Sequence, residues 1–125
     1  MANGEYKKLF IQALDGSLNE EKNKRIANSL FLLFKALTEL AKYILSQKYK
    51  INFEGKSSHS EIKLFYMTRG RQETASLLEG AYIVYVNAYE QNRTVEKVSR
   101  IKNAIKEFIK IEGIEEEFKD FLEKI

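Results

Sequence analysis

The chain contains no cysteine, no proline and no tryptophan, and only one histidine. Without cysteine, disulfides, thiolate metal sites and thiol catalysis are all excluded. A single histidine, His59, rules out zinc sites built from several imidazoles. A magnesium or calcium site made of carboxylates alone stays open, but no EF-hand spacing occurs, so neither metal nor cofactor is expected. Long apolar runs are missing too. None approaches the roughly 20 residues of a membrane span, and the opening MANGEYKKLF lacks the apolar core of a signal peptide. The expectation is a cytoplasmic protein without membrane contact.

What the chain does have is charge of both signs and helical periodicity. Its 125 residues suit one domain, 1–125, long enough for a core without staples. The net charge of +3 is a small excess over a dense mixture, with 31% of residues charged, and this composition leans thermophilic. No basic cluster of the kind that marks a nucleic-acid surface stands out. The nearest approach is Arg69-Gly70-Arg71, followed by Arg93, Lys97, Arg100 and Lys102. Charges scattered in this way are usually solvated faces.

The punctuation is helical throughout. Tyr6, Leu9, Phe10, Ala13 and Leu14 predict a short first helix ended by Asp15-Gly16, with Ser17 and Glu20 as a capping box opening the second. From Ile26 through Leu30, Leu33, Leu37, Leu40 and Ile44 the spacing alternates between four and three, a sustained helical stripe to about Lys50. Phe31, Phe34 and Leu45 lie off that stripe, so this helix asks for partners on two sides. Residues 51–58 read as a loop, and Ser58 with Glu61 forms a capping box for a third helix carrying Ile62, Leu64, Phe65 and Met67. Arg69-Gly70-Arg71 breaks it. A fourth helix spans about Gln72 to Gln91, Thr94 caps a fifth, and Gly113 stops that one. Ile114, Phe118, Phe121, Leu122 and Ile125 then share one face of a short last helix, with Glu115, Glu116 and Glu117 in its first turn. The fold expected is all-α, an up-and-down bundle of four to five main helices plus a short C-terminal one. Helices two, four and five would supply most of its core.

The segment Val84-Tyr85-Val86-Asn87-Ala88-Tyr89-Glu90 is the most informative for function. Its apolar positions fit a buried helix, yet Asn87 and Glu90 interrupt it one turn apart. Polar groups in such a place must be hydrogen-bonded or face an interface, because unpaired burial is costly. They are candidates for a ligand site or a self-association seam, together with Tyr85 and Tyr89. His59 could act as a lone acid or base, but at the first turn of a helix it serves more simply as packing or cap. Arg69 and Arg71 could grip phosphate, as could Arg93, although the first two read more simply as a solvated loop.

The order of a long helix with Ala36-Leu37-Thr38-Glu39-Leu40-Ala41, a loop, Ser58-His59, VYVNAYE and a capped helix resembles the archaeal PaREP-type branch of the HEPN superfamily. The resemblance covers roughly residues 20–112. Asn87, Tyr89 and Glu90 match that branch's motif, with His59 upstream; Tyr85 stands where the branch often has histidine, and Ala88 where it often has phenylalanine. The resemblance implies a HEPN-like bundle, commonly a homodimer. Many members are ribonucleases, often toxins paired with a nucleotidyltransferase-type protein partner. Those enzymes place an arginine four to six residues before a histidine. The histidine can shuttle the ribose hydroxyl proton while the arginine steadies phosphorane charge. Here the only histidine is His59, no arginine precedes it nearer than Arg25, and Val86 stands ahead of Tyr89. No catalytic residues are therefore assigned.

The reading that follows is a non-enzymatic, homodimeric HEPN-like binding or interaction module for nucleotide or RNA. Two alternatives stand beside it. One is a divergent ribonuclease using Tyr85, Tyr89, Glu90 and an arginine. The other is a structural subunit that docks another protein against the two-sided second helix.

Overall fold

The computed structural model describes residues 3–53, 58–90 and 95–125, with the side chains of Asn3, Tyr89 and Glu90 left aside. Six helices carry these residues: α1 (Asn3–Lys22), α2 (Ile26–Tyr49), α3 (His59–Thr68), α4 (Gln72–Glu90), α5 (Val95–Ile111) and α6 (Lys119–Leu122). The all-α class is as expected, and among the described residues no helix is long and apolar enough to cross a membrane.

The first helix departs from expectation. It passes through Asp15-Gly16 without a break and ends only at Lys22. A Cβ on Gly16 would lie 3.2 Å from Leu32 Cδ1, so this glycine allows α1 to approach α2 closely instead of stopping a helix. Ser17 is no cap either. It is fully buried, and its hydroxyl donates to the Ser29 carbonyl and lies 2.9 Å from the Ser29 hydroxyl. The chain reverses instead at Lys24, which takes a left-handed conformation with φ 62° while Arg25 N–H donates to the Glu20 carbonyl.

α2 is the central element. Leu33, Ala36, Leu37, Leu40, Ala41, Ile44 and Leu45 are fully buried, which takes more than one face of a helix. The second side expected for it is filled from within the chain, by α1 on one flank and by α3, α4 and α5 on others. Burying a Leu, Ile or Phe side chain stabilises by about 1.5–3 kcal/mol, so this helix dominates the apolar driving force. The share of α1 was not anticipated: Tyr6, Phe10 and Leu14 are as deeply buried as any side chain in α4 or α5.

Direction follows from pairwise contacts. Ser17 meets Ser29 near the α1–α2 turn, and Tyr6 at the start of α1 meets Phe53 just beyond the end of α2, so the two are antiparallel. α3 runs in the same sense as α2. His59, at its start, stacks on Tyr82, which lies against Phe34; Tyr66 donates to the Ala41 carbonyl; Arg69 at the far end lies over Tyr49. Strict up-and-down alternation therefore fails between α2 and α3 and resumes from α3 to α5. Lys63 with Glu79 orients α3 against α4, and Thr74 with Glu112 orients α4 against the end of α5.

Three sequence signals appear as read. Ser58 caps α3 in a full capping box with Glu61, and Gly70 takes φ 72° in the break before α4. Gly113, at φ 71°, closes α5 as its N–H and that of Ile114 donate back to Lys110 and Ile109. The proposed cap Thr94 lies outside the described residues. Beyond Gly113 the chain returns along α1, with Glu117 at Lys7, Phe118 between Phe10 and Tyr43, and Lys124 near Asp15. The terminal helix is shorter than expected. Glu115–Glu117 precede it in turns, and Glu117 serves tertiary pairing with Lys7 and Tyr43 instead of a helix dipole.

Candidate functional site

Asn87 is exposed on α4 and lines a groove against the first turns of α5. Gly80, Ile83 and Val84 complete the α4 side, Lys97 and Arg100 the α5 side, around a volume of about 370 Å³. The spacing 80, 83, 84, 87 is one stripe of a helix, which is why these residues share a wall. Gly80 has nothing within 4 Å of where its Cβ would be, so the missing side chain leaves open depth. Lys97 and Arg100 sit one turn apart, about 5–6 Å between Cβ atoms. Neither makes an ion pair among the described residues, whereas Lys7, Lys48, Lys63, Arg71 and Lys102 all do. The groove continues past Ser76, Leu77 and Ala104 toward Glu107, whose carboxylate makes the far end repulsive to anions.

The other sequence candidates are not gathered there. Tyr85 is half-buried on a different side of α4, its ring parallel to Phe34 at 4.8 Å and 6.5 Å from Phe31. The side chains of Tyr89 and Glu90, and all of Arg93, lie outside the described residues, so the Asn87–Glu90 pair is represented by Asn87 alone.

His59 opens α3 with its ring stacked on Tyr82, centroids 3.4 Å apart. Tyr82 and Asn87 are five residues apart on α4, which turns them to different faces, so His59 and Asn87 do not share a site. Burial holds the imidazole below its usual pKa; the Glu79 carboxylate pulls the other way and Lys63 adds to the lowering. Its Nε2 is 4.0 Å from Glu79 Oε2 and 3.3 Å from the Ser60 hydroxyl. A nucleophile relay needs the acid on one ring nitrogen and the hydroxyl on the other; here both approach Nε2. The cluster packs α3 onto α4 and lacks the geometry for activating Ser60.

The two arginines of the break part company, which corrects their joint reading as a solvated loop. Arg69 stays exposed, donating to the Phe65 carbonyl with its guanidinium over Phe65 and Tyr49. Arg71 turns inward as a fork on Glu112, with Nη2 at 2.6 Å and Nε at 3.1 Å from Oε2. Thr74 donates to the same oxygen at 2.7 Å, and Lys48 donates to Glu112 Oε1 and to its backbone carbonyl. Burial pushes the Glu112 carboxyl up, but the bonds from Arg71, Thr74 and Lys48 outweigh it and hold the group below the usual carboxylate range. Glu112 was missed in the sequence, though it carries a signal: a carboxylate at a helix C-terminus opposes the dipole and so invites a tertiary partner.

Among the described residues no three carboxylates or imidazoles converge as a metal site. No family model, no curated protein and no solved structure matches the chain.

Proposed function

We propose that the chain is a non-enzymatic, homodimeric binding module of HEPN-like type that takes a nucleotide or RNA phosphate in the α4–α5 groove. The carrying observation is the meeting of Asn87 with Lys97 and Arg100 around the open floor at Gly80. Two cations one helical turn apart match the oxygens of one phosphoryl group, and the arginine can engage two of them at once. Asn87 adds both a donor and an acceptor, which suits a sugar hydroxyl or a base edge. Ile83 and Val84 offer the apolar wall against which a planar ring can lie. Glu107 at the far end orients the ligand, keeping its phosphate at the Asn87 end.

Two observations support the absence of catalysis. His59, on α3, packs against another face of α4, and its charged neighbours are Glu79 and Lys63 instead of an arginine. Self-association is supported by the exposed Leu64 and Met67, large apolar side chains one turn apart on α3.

The test is thermal unfolding with nucleotides and short single-stranded RNA. Ligand at 100 times its dissociation constant stabilises by about 2.7 kcal/mol, so the midpoint must rise. Lys97→Ala with Arg100→Ala should remove the rise and leave the unliganded midpoint in place. A wild-type midpoint that ignores every nucleotide and oligonucleotide would refute the binding reading; cleavage of the RNA would refute the non-enzymatic one.

A further inference from the structure

The outer face of α3 is unusual for so short a helix. Leu64 is 57% and Met67 40% exposed, and Leu64 and Phe65 line a shallow, mainly apolar groove of about 320 Å³ with Glu61, Thr68 and Arg69. Positions 61, 64, 65 and 68 recur at helical spacing, so they form one continuous stripe. Its ends carry opposite charge. Glu61 gives Oε1 to the Ser58 cap, and Oε2 has no partner among the described residues. Arg69 donates through Nη1 to the Phe65 carbonyl and the Thr68 hydroxyl, with no carboxylate in reach among the described residues.

An apolar stripe with an acid at one end and a base at the other complements itself when turned end for end. We infer that α3 is the homodimer seam, packing antiparallel on the α3 of a second copy about a two-fold axis at Phe65. Residues 61 and 69 are equidistant from 65, so Glu61 meets Arg69 of the partner subunit, and the reverse pair forms at the other end. Leu64 and Met67 then lie over the partner's apolar stripe. The inference rests on the homodimer reading above and is independent of the ligand groove, which lies between α4 and α5. Ten residues of helix span about 15 Å. One such face is smaller than the roughly 800 Å² per partner of a standard interface, so the association is weak and concentration-dependent.

Sedimentation of the full chain from about 10 μM to about 1 mM covers the range in which a weak interface fills. Wild type should shift from monomer to dimer, whereas Leu64→Glu and Arg69→Glu should each stay monomeric throughout. An equimolar mixture of Arg69→Glu and Glu61→Arg chains should regain the dimer, because only the mixed pair sets unlike charges at both ends. Circular dichroism checks that each chain is folded. Should Glu61→Arg lose its helix cap and unfold, Leu64→Glu, at a position more than half exposed, decides alone. A wild-type dimer untouched by Leu64→Glu and Arg69→Glu would overturn the α3 seam and leave the homodimer standing. A wild-type monomer at the highest concentration would overturn both.

Discussion

Two basic clusters of this bundle use the same side-chain types to opposite ends. Around Glu112, Arg71 and Lys48 converge on a carboxylate whose side chain is wholly buried. Along the α4–α5 groove, Lys97 and Arg100 converge on open space. The first pair comes together only in the fold, at the C-terminal end of α5; the second is adjacent on α5 itself. What separates them is the counter-charge. Where the chain supplies a buried acid, the cations become fasteners between α2, α4 and α5; beside Gly80 and Asn87 they line a groove without an ion pair among the described residues. Position relative to a carboxylate, more than cation count, divides architecture from site.

The comparison breaks most readily at Glu112. Glu112→Gln keeps the shape but leaves Arg71 and Lys48 without their anion. Because those two are about a third exposed, the usual cost of breaking a buried pair is discounted to about 2–3 kcal/mol, read by urea or thermal unfolding. If the midpoint hardly moves, the hub is not a fastener.

Acid should reveal the same hub. The folded-state pKa values of Glu112 and Glu117 are both lowered, so their contribution is fully present above the unfolded carboxylate value of about 4.3. It is lost as pH falls through the lower folded values. Wild type should lose stability steeply below about pH 4, and Glu112→Gln should flatten that limb. An unchanged acid limb in the variant would remove Glu112 from the account. His59 adds a gentler slope at higher pH. Its lowered pKa means the unfolded chain takes up a proton first, so stability declines as pH falls through the unfolded value of about 6.5. His59→Gln should abolish this slope in unfolding midpoints measured between neutral and mildly acidic pH.

At the open pair the expectation reverses. Lys97→Ala and Arg100→Ala should change unfolding free energy by no more than about 0.5 kcal/mol, as for surface positions with no ion pair among the described residues. Their effect should fall on ligand affinity instead. A large stability loss would place these cations with the fasteners and dissolve the distinction.

Much of the fold was legible because it depends on local patterns. The α2 stripe, the Ser58–Glu61 box, the break at Gly70 and the stop at Gly113 each need only a few neighbouring residues to declare themselves. Asp15-Gly16 misled because the same glycine can end a helix or admit a neighbour, and only Leu32, sixteen positions away, decides which. The parallel run of α3 beside α2 was hidden for a similar reason: a loop's composition does not tell whether it turns or carries the chain back. Of the candidate site, Asn87 drew notice as a polar interruption in an apolar helix, yet it lies on the exposed side of α4, where a polar side chain needs no protein partner. Lys97 and Arg100 looked like any solvated charge, since the lack of an ion pair among the described residues is a property of the folded chain alone. His59 drew notice as the single histidine, yet its stacking on Tyr82 answers a packing need.

The most direct test of the open groove is amide NMR of the labelled chain titrated with a short single-stranded oligonucleotide. The account expects the largest shifts at Gly80, Asn87, Lys97 and Arg100, with Arg71, Thr74 and Glu112 unmoved. Shifts centred on the Glu112 hub, or no shifts at the groove at saturating oligonucleotide, would contradict it.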